Sequence, residues 1–397
     1  MKSEKVKNDD TKEWETHMHV NQPLQLLGGM TPQLFMKRHW QKKPLVIRQA
    51  FPGFTPLLNR SELFTLAAQQ EVQSRLLIQN AGRAKQGWQF KQGPFDRREL
   101  PALKRPGWSL LVQGVDLHRD SVHGLMNQFR FIPDGRLDDL MISYATDGGG
   151  VGPHFDSYDV FLLQAHGRRR WRIGRQKDLS LQEGMPLKIL ANFEPEEEFV
   201  LEPGDMLYLP PKYAHDGIAL GECMTYSIGF RSPSRGEIAQ ELLQRIADQA
   251  QDTAGSTLYK DPRQEAVENP AEIPAGMLFF AQDALARALN DPLIMARALG
   301  EYLTEPKADV WFESMVASAP EHPGPLQLDR KTKMMFDASH IFINGESFLA
   351  SGKDAKIMRQ LANDRVLDGG AFDKLTAQAQ ELLLDWQDAG WIQWGAE

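Results

Sequence analysis

Between residues 139 and 230 the chain alternates with a period of two, and Gly or Pro cuts the alternation every few residues. No other feature limits the fold as much. Residues 140–145 read as one strand and 158–164 as the next. Residues 168–173 read as a third, joined to the second by a turn at His166-Gly167. Residues 199–201, 206–209 and 224–230 bring the series to at least six short strands. Such a series builds a sandwich or barrel, and a double-stranded β-helix of the jelly-roll and cupin kind is its natural container. Residues near the turns then stand at the mouth of a rigid barrel.

At that mouth the sequence sets Gly152-Pro153-His154-Phe155-Asp156, led in by Gly148-Gly149-Gly150. His215 follows His154 by 61 positions, after Leu209-Pro210-Pro211-Lys212-Tyr213-Ala214. Two imidazoles and one carboxylate on a single metal leave three coordination positions open, the usual mark of a non-haem Fe(II) oxygenase. Each of the three alone reads better as an unrelated turn residue. Together, with strands between them, a shared metal is the stronger reading. Zinc takes the same ligands; the long gap and the barrel context favour iron.

In Arg168-Arg169-Arg170-Trp171-Arg172-Ile173, strand alternation puts Arg169 on the apolar face with Trp171 and Ile173. The other three arginines face out. A guanidinium turned into a barrel needs a partner. A dicarboxylate cosubstrate gripped through a bidentate fork is one, and an internal salt bridge is the other. Asp139 and Ser227 stand in otherwise apolar strands, as pocket groups or as partners of local backbone. Glu194-Pro195-Glu196-Glu197-Glu198 reads as a solvated loop with a possible use in attracting a basic protein.

The rest of the chain divides around this core. Residues 1–24 form a polar arm, with His17-Met18-His19 read as solvated tail rather than metal pair. Residues 25–233 make the barrel domain. It opens with a helix capped by Thr31 and started by Pro32, ended by Pro44. Residues 60–135 read as mixed helix and loop, with His118 and His123 at the surface. Residues 234–305 are helical, begun by the capping box Ser234/Glu237, and their apolar faces need covering, by the barrel or by a second copy in a homodimer. Residues 306–397 read as winged-helix-like: a hairpin turning at Asn344-Gly345, then helices at 355–363 and 372–386, then a strand at 391–394. From Lys353 onward five Lys/Arg face eight Asp/Glu, a net of −3, the wrong sign for a phosphate backbone.

Over all 397 residues the formal charge is −8, which argues against direct nucleic-acid binding and suits a basic partner. One cysteine, Cys223, excludes an intrachain disulfide. The polar N-terminus is no secretory signal and no apolar run reaches the length of a membrane span. A soluble, cytoplasmic protein is expected.

Several stretches, in order, resemble the bacterial JmjC-type ribosomal oxygenases. They are His39-Trp40-Gln41-Lys42-Lys43-Pro44, Asp138-Asp139-Leu140-Met141-Ile142-Ser143, and the run from Gly148 through His154-Phe155-Asp156 to Phe161. Gly167-Arg168-Arg169-Arg170-Trp171, Glu202-Pro203-Gly204-Asp205-Met206 and Tyr226-Ser227-Ile228-Gly229-Phe230-Arg231 continue the likeness. The resemblance implies an α+β chain: a JmjC double-stranded β-helix, then a helical dimerisation region, then a winged-helix-like domain. It implies a 2-oxoglutarate- and Fe(II)-dependent dioxygenase that uses O2 to hydroxylate an arginine of a basic large-subunit ribosomal protein, the sixteenth in bacterial nomenclature. By position, His154, Asp156 and His215 would bind iron, and Arg169 the distal carboxylate of 2-oxoglutarate. Asp139, Met141, Tyr158 and Ser227 would line the substrate-arginine pocket. The sequence departs from the family at Lys212-Tyr213-Ala214, where its better-known members carry Gly and Pro. An oxygenase of another protein residue, or a zinc cupin enzyme, are the alternatives.

Overall fold

The computed structural model describes residues 19–79, 87–314 and 324–395. His17 and Met18 lie outside them; His19 is exposed. Residues 20–24 belong to the folded body, since Val20 O accepts from Gln33 N and Leu24 bridges Met30. Helix α1 (Pro32–Arg38) starts as the sequence predicts, with Thr31 Oγ1 accepting from Leu34 N at 3.1 Å. Its Phe35 is buried against Phe161 and Tyr208 of the barrel wall. Strand β1 (Leu45–Ile47) follows, then α2 (Arg60–Ala67) behind an Asn59/Glu62 capping box.

The expected helix and loop over residues 60–135 holds at α2 and α3 but misses the strands between them. After α2 come three strands, β2 (Ser74–Gln79), β3 (Trp88–Gln92) and β4 (Trp108–Val112), and only then α3 (Asp120–Asn127). Strand β4 is buried on both faces, so its sequence WSLLV carries no alternation to read. Strands β5 (Leu137–Ala145), β6 (Asp159–Gly174), β7 (Glu197–Leu201), β8 (Met206–Leu209) and β9 (Ala214–Phe230) complete a nine-stranded antiparallel sheet. Its order is β1-β8-β6-β9-β5-β4-β2-β3, with β7 on β6.

Residues 158–164 and 168–173, expected as two strands joined by a turn, are one 16-residue strand with a bend. Register shifts between Gln164 and Arg168 fold β6 and its partner β9 together. The bend needs Gly167: its φ is +63°, and a Cβ there would lie 2.0 Å from Glu222 O. Before the bend β6 pairs with β8, after it with β7, and the sheet closes on itself as a jelly roll. Val160, Leu162, Trp171, Ile173, Leu207 and Tyr213 fill the inside. The outer face, with Leu110, Ile142, Tyr144, Phe161 and Tyr226, packs against the N-terminal helices.

Beyond the barrel, α4 (Arg235–Ala254) begins at the expected capping box and α5 (Ala275–Ala288) and α6 (Ile294–Thr304) follow. Leu242 and Ile246 of α4 pack on Ile294 and Ala298 of α6. A winged-helix domain ends the chain. It contains β10 (Leu326–Leu328), β11 (Met334–Phe336), the hairpin β12 (His340–Ile343) and β13 (Glu346–Leu349), α7 (Gly352–Asp364) and β14 (Val366–Leu367). Asn344 at φ 47° and Gly345 at φ 90° make the expected type I′ turn. The helix expected over 372–386 is broken into α8 (Gly369–Phe372) and α9 (Ala377–Asp388). Thr376 interrupts it by capping α9 and donating to Asp354. Strand β15 (Ile392–Trp394) closes the unit on β10.

Candidate metal centre

His154 lies in the loop between β5 and β6, and His215 is the second residue of β9. Their backbones exchange two hydrogen bonds, His154 N to His215 O at 3.0 Å and His215 N to His154 O at 2.8 Å. The 61-residue separation is thereby closed, and the ring centroids stand 4.3 Å apart. Nδ1 of His154 donates to Gly152 O at 2.8 Å and Nδ1 of His215 to Tyr213 O at 3.1 Å. With the proton held on Nδ1, each Nε2 keeps a free lone pair, as a metal ligand requires. Asp156 Oδ2 stands 3.7 Å from His215 Nε2. One ligand atom from each of the three lies within 4.8 Å of the others. Burial, and after it the neighbouring His154, push the pKa of His215 down to about 4, so its ring is neutral. Two imidazoles beside one carboxylate fit a divalent metal.

Strand alternation places Arg169 as expected, 4% exposed and inside the barrel. Its Nε and Nη2 have no hydrogen-bond partner among the described residues, so no internal salt bridge satisfies them. Of the arginines at 168–172, Arg172 is the one in an ion pair among the described residues, with Asp216 on the outer face. The Arg169 guanidinium lies 5.7 Å from the Trp171 ring, and that ring lies 5.8 Å from His215. A buried cation with two free donors, one aromatic ring away from the metal ligands, fits a small dicarboxylate.

Met141 pairs across to Ser227, and Ser227 to Leu162, in the row that lines the barrel interior. Asp139 sits in a bulge of β5, with Oδ2 accepting from Gly114 N at 3.1 Å. A Cβ on Gly229 would lie 3.6 Å from Asp139 Oδ1 and 4.0 Å from the Tyr158 ring, so that glycine leaves space between the two. Tyr158 is 39% exposed, and its hydroxyl pKa is raised by burial, then by Asp156 and Asp139. Met141 and Ser227 are thus neighbours across β5 and β9, and Asp139 and Tyr158 both approach Gly229.

Three neighbours escaped the sequence reading. Asp116 Oδ1 accepts from Leu140 N at 2.8 Å, and burial followed by Asp139 pushes its carboxyl up to about 7. Asp138 pairs with Lys307 at 2.9 Å. A cavity of about 440 Å³ opens beside Asp139, with Gly114, Lys307, Val310 and Trp311 in its wall. Nothing local marks Lys307, which is 168 positions from Asp139.

His118 and His123, expected at the surface, are half-buried. Burial, then Arg365 and Arg130, push His123 down to about 3. Glu194 to Glu198 are exposed, and Glu196 accepts from the Tyr213 hydroxyl at 3.0 Å. The divergent Lys212-Tyr213-Ala214 serves the centre directly. Lys212, at φ 62°, donates its N–H to Asp156 O at 2.7 Å, and Tyr213 O orients His215.

Residues 124–238 match the family model described as JmjC domain, and residues 287–393 the one described as ROXA-like winged helix. The chain is 38% identical over 280 residues to the ribosomal protein uL16 3-hydroxylase of Escherichia coli, covering 70% of this chain and 72% of that protein. It is 28% identical over 391 residues to the probable ribosomal oxygenase of Haemophilus influenzae, covering 91% and 96%. The X-ray structure of E. coli YcfD superposes with a TM-score of 0.78 at 30% identity, over 92% of this chain and 98% of that one. The structure of E. coli YcfD in complex with cobalt and 2-oxoglutarate superposes with a TM-score of 0.73 at 30% identity, over 92% and 99%.

Proposed function

The chain belongs to the JmjC-type ribosomal oxygenases, and from that membership we propose that it hydroxylates an arginine side chain of ribosomal protein uL16, using Fe(II), 2-oxoglutarate and O2. The observation that carries this reading is the His154/Asp156/His215 ligand set beside a buried Arg169 with two free donors. Bound there, Fe(II) with 2-oxoglutarate and O2 supplies the oxidising chemistry: one oxygen atom goes to the target carbon, the other to succinate as CO2 leaves. The chain's own work is positioning. His154 and His215 are held to one tautomer by backbone carbonyls, and Arg169 takes the far carboxylate of 2-oxoglutarate. Val160, Leu162, Trp171 and Leu207 keep water from the reacting groups. Asp139 takes the guanidinium of the target, and Met141, Tyr158 and Ser227 hold the side chain so that its C–H faces the metal. A zinc enzyme would use the same three ligands, but has no need of the open Arg169 donors.

The working assembly is a homodimer. Phe279, Leu285 and Leu243 on the post-barrel helices are 71%, 63% and 58% exposed, an apolar face that a second copy would cover. The acidic winged-helix domain then serves protein contact rather than nucleic acid. No helix is long and apolar enough to cross a membrane, and the site of action is the cytoplasm, where ribosomal proteins are made.

The test is mass spectrometry of large-subunit ribosomal proteins incubated with this protein, Fe(II), O2 and 2-oxoglutarate, with a control lacking 2-oxoglutarate. The expected result is the added mass of one oxygen atom on one arginine of uL16, only when 2-oxoglutarate is present. Succinate formation with every ribosomal protein unmodified would discard the substrate and keep the reaction. Neither product from iron-loaded protein would discard both.

A further inference from the structure

The acidic run before β7 reaches the metal centre through one side chain. Tyr213, two residues before His215, is buried in the cluster that fills the barrel. Its hydroxyl donates to Glu196 Oε2 at 3.0 Å. Glu196 is exposed, yet its backbone is fixed: its N–H donates to Ile173 O at 2.8 Å, and Ile173 is the cross-strand partner of His215.

The segment 210–213, between β8 and β9, holds two of the three ligands. Tyr213 O accepts from His215 Nδ1 at 3.1 Å, and the Lys212 N–H donates to Asp156 O at 2.7 Å. Asp156 lies in no helix or strand, and among the described residues that bond is the one its backbone makes. Lys212 makes it at φ 62°, a left-handed conformation that a residue with a Cβ keeps only where its surroundings hold it. The bond that closes the turn from within, Tyr213 N to Pro210 O, is long at 3.3 Å. The Tyr213 side chain therefore supplies the outside hold, through its packing and its hydroxyl.

We infer that the Tyr213–Glu196 hydrogen bond is a latch on the metal centre: it keeps segment 210–213 in the conformation that presents His215 and Asp156 to a divalent cation. Tyr213 and Glu196 are then positioning residues. The inference rests on the reading of His154, Asp156 and His215 as metal ligands. Apparent metal affinity scales with the fraction of molecules in which the segment is in place, so opening the latch lowers affinity and leaves the ligand set as it was.

The experiment titrates Co(II) into the full-length, metal-free protein by visible absorption, and measures hydrogen exchange of peptides covering residues 210–216 before the ion is added. Tyr213→Phe removes only a hydroxyl and Glu196→Ala only an exposed carboxylate, so neither opens the core. Each is expected to weaken Co(II) binding about fivefold, the worth of one hydrogen bond, and the double variant no further than either alone. Exchange at 210–216 should quicken in both, while the spectrum at saturating Co(II) stays that of wild type. Glu196→Gln keeps an acceptor and should retain most of the affinity. Lys212→Gly should restore what Tyr213→Phe loses, since glycine adopts that φ without strain. Exchange as slow in the single variants as in wild type overturns the inference, and so does an unchanged Co(II) affinity or a changed saturated spectrum. Exchange that quickens while even wild type binds no Co(II) would keep the hold on the segment and overturn the reading of the three residues as ligands.

Discussion

Asp116 is 2% exposed, and its carboxyl is pushed up to about 7, by burial first and Asp139 second. In the unfolded chain this group titrates near the ordinary value of about 3.9. Between the two values the folded state holds a proton that the unfolded state has released. Stability therefore falls as pH rises through that window and is fully present below it. Asp116→Asn, which keeps the acceptor for Leu140 N, should match wild type at the acid end and exceed it by about 1–3 kcal/mol above pH 7. Thermal unfolding at a series of pH values checks this; parallel curves would refute it. At Arg169 the expected loss is in cosubstrate binding. Arg169→Met should raise the apparent KM for 2-oxoglutarate by roughly 10- to 100-fold, the worth of one or two charge-assisted hydrogen bonds, and an unchanged KM would remove that role. His154→Ala should end turnover and, compared in metal-free buffer, leave the melting temperature nearly unchanged. The buried place of Arg169 and the candidate pair His154/Asp156 were legible because strand alternation and an HxD spacing are local signals. Asp116, Asp138 and Lys307 were not, because their meeting depends on a bulge and on a chain segment far along the sequence.

Among the elements, the paired strands β6 and β9 carry most of the site. Arg169 and Trp171 lie on one, His215 and Ser227 on the other. Their shared bend depends on Gly167, where a side chain would meet both a positive φ and the Glu222 carbonyl. Gly167→Ala should cost about 2–4 kcal/mol by adding strain to a steric clash; urea denaturation measures it, and a loss under 1 kcal/mol (about the cost of the φ alone) would show that the clash relaxes. Sequence found these strands and misplaced the join, because a bulge keeps pairing intact where a Gly suggests a turn. It missed β4 for a different reason: a strand covered on both faces has no polar partner residues to set a period. Strand β3 does alternate, Trp88 and Phe90 against exposed Gln89 and Lys91, but over too few residues to stand out. It also overran α8 into α9, since the apolar face continues across the Thr376 cap.

For the whole molecule, the order barrel, helices, winged helix was readable from texture alone: period two, then a capping box and apolar stripes, then an Asn-Gly hairpin. The packing of Lys307 against the barrel was not, since it is fixed only when the segment after α6 returns to β5. The exposed face of α5 gives the assembly a direct test. Replacing Phe279 and Leu285 together with Lys should convert a dimer to monomers in sedimentation velocity without lowering the melting temperature of the barrel. A wild-type protein that already sediments as a monomer would refute the dimer. The backbone clamp between His154 and His215 reaches further than geometry. The three ligand atoms converge only after β9 has closed on the loop before β6, so the denatured chain presents no such centre. Metal held there binds the native ensemble alone, and at a hundredfold excess over its dissociation constant that adds about 2.7 kcal/mol to folding. Proteases act on the unfolded fraction, so the protein is expected to resist proteolysis longer with a divalent metal than with a chelator, and equal rates of cleavage would refute that link.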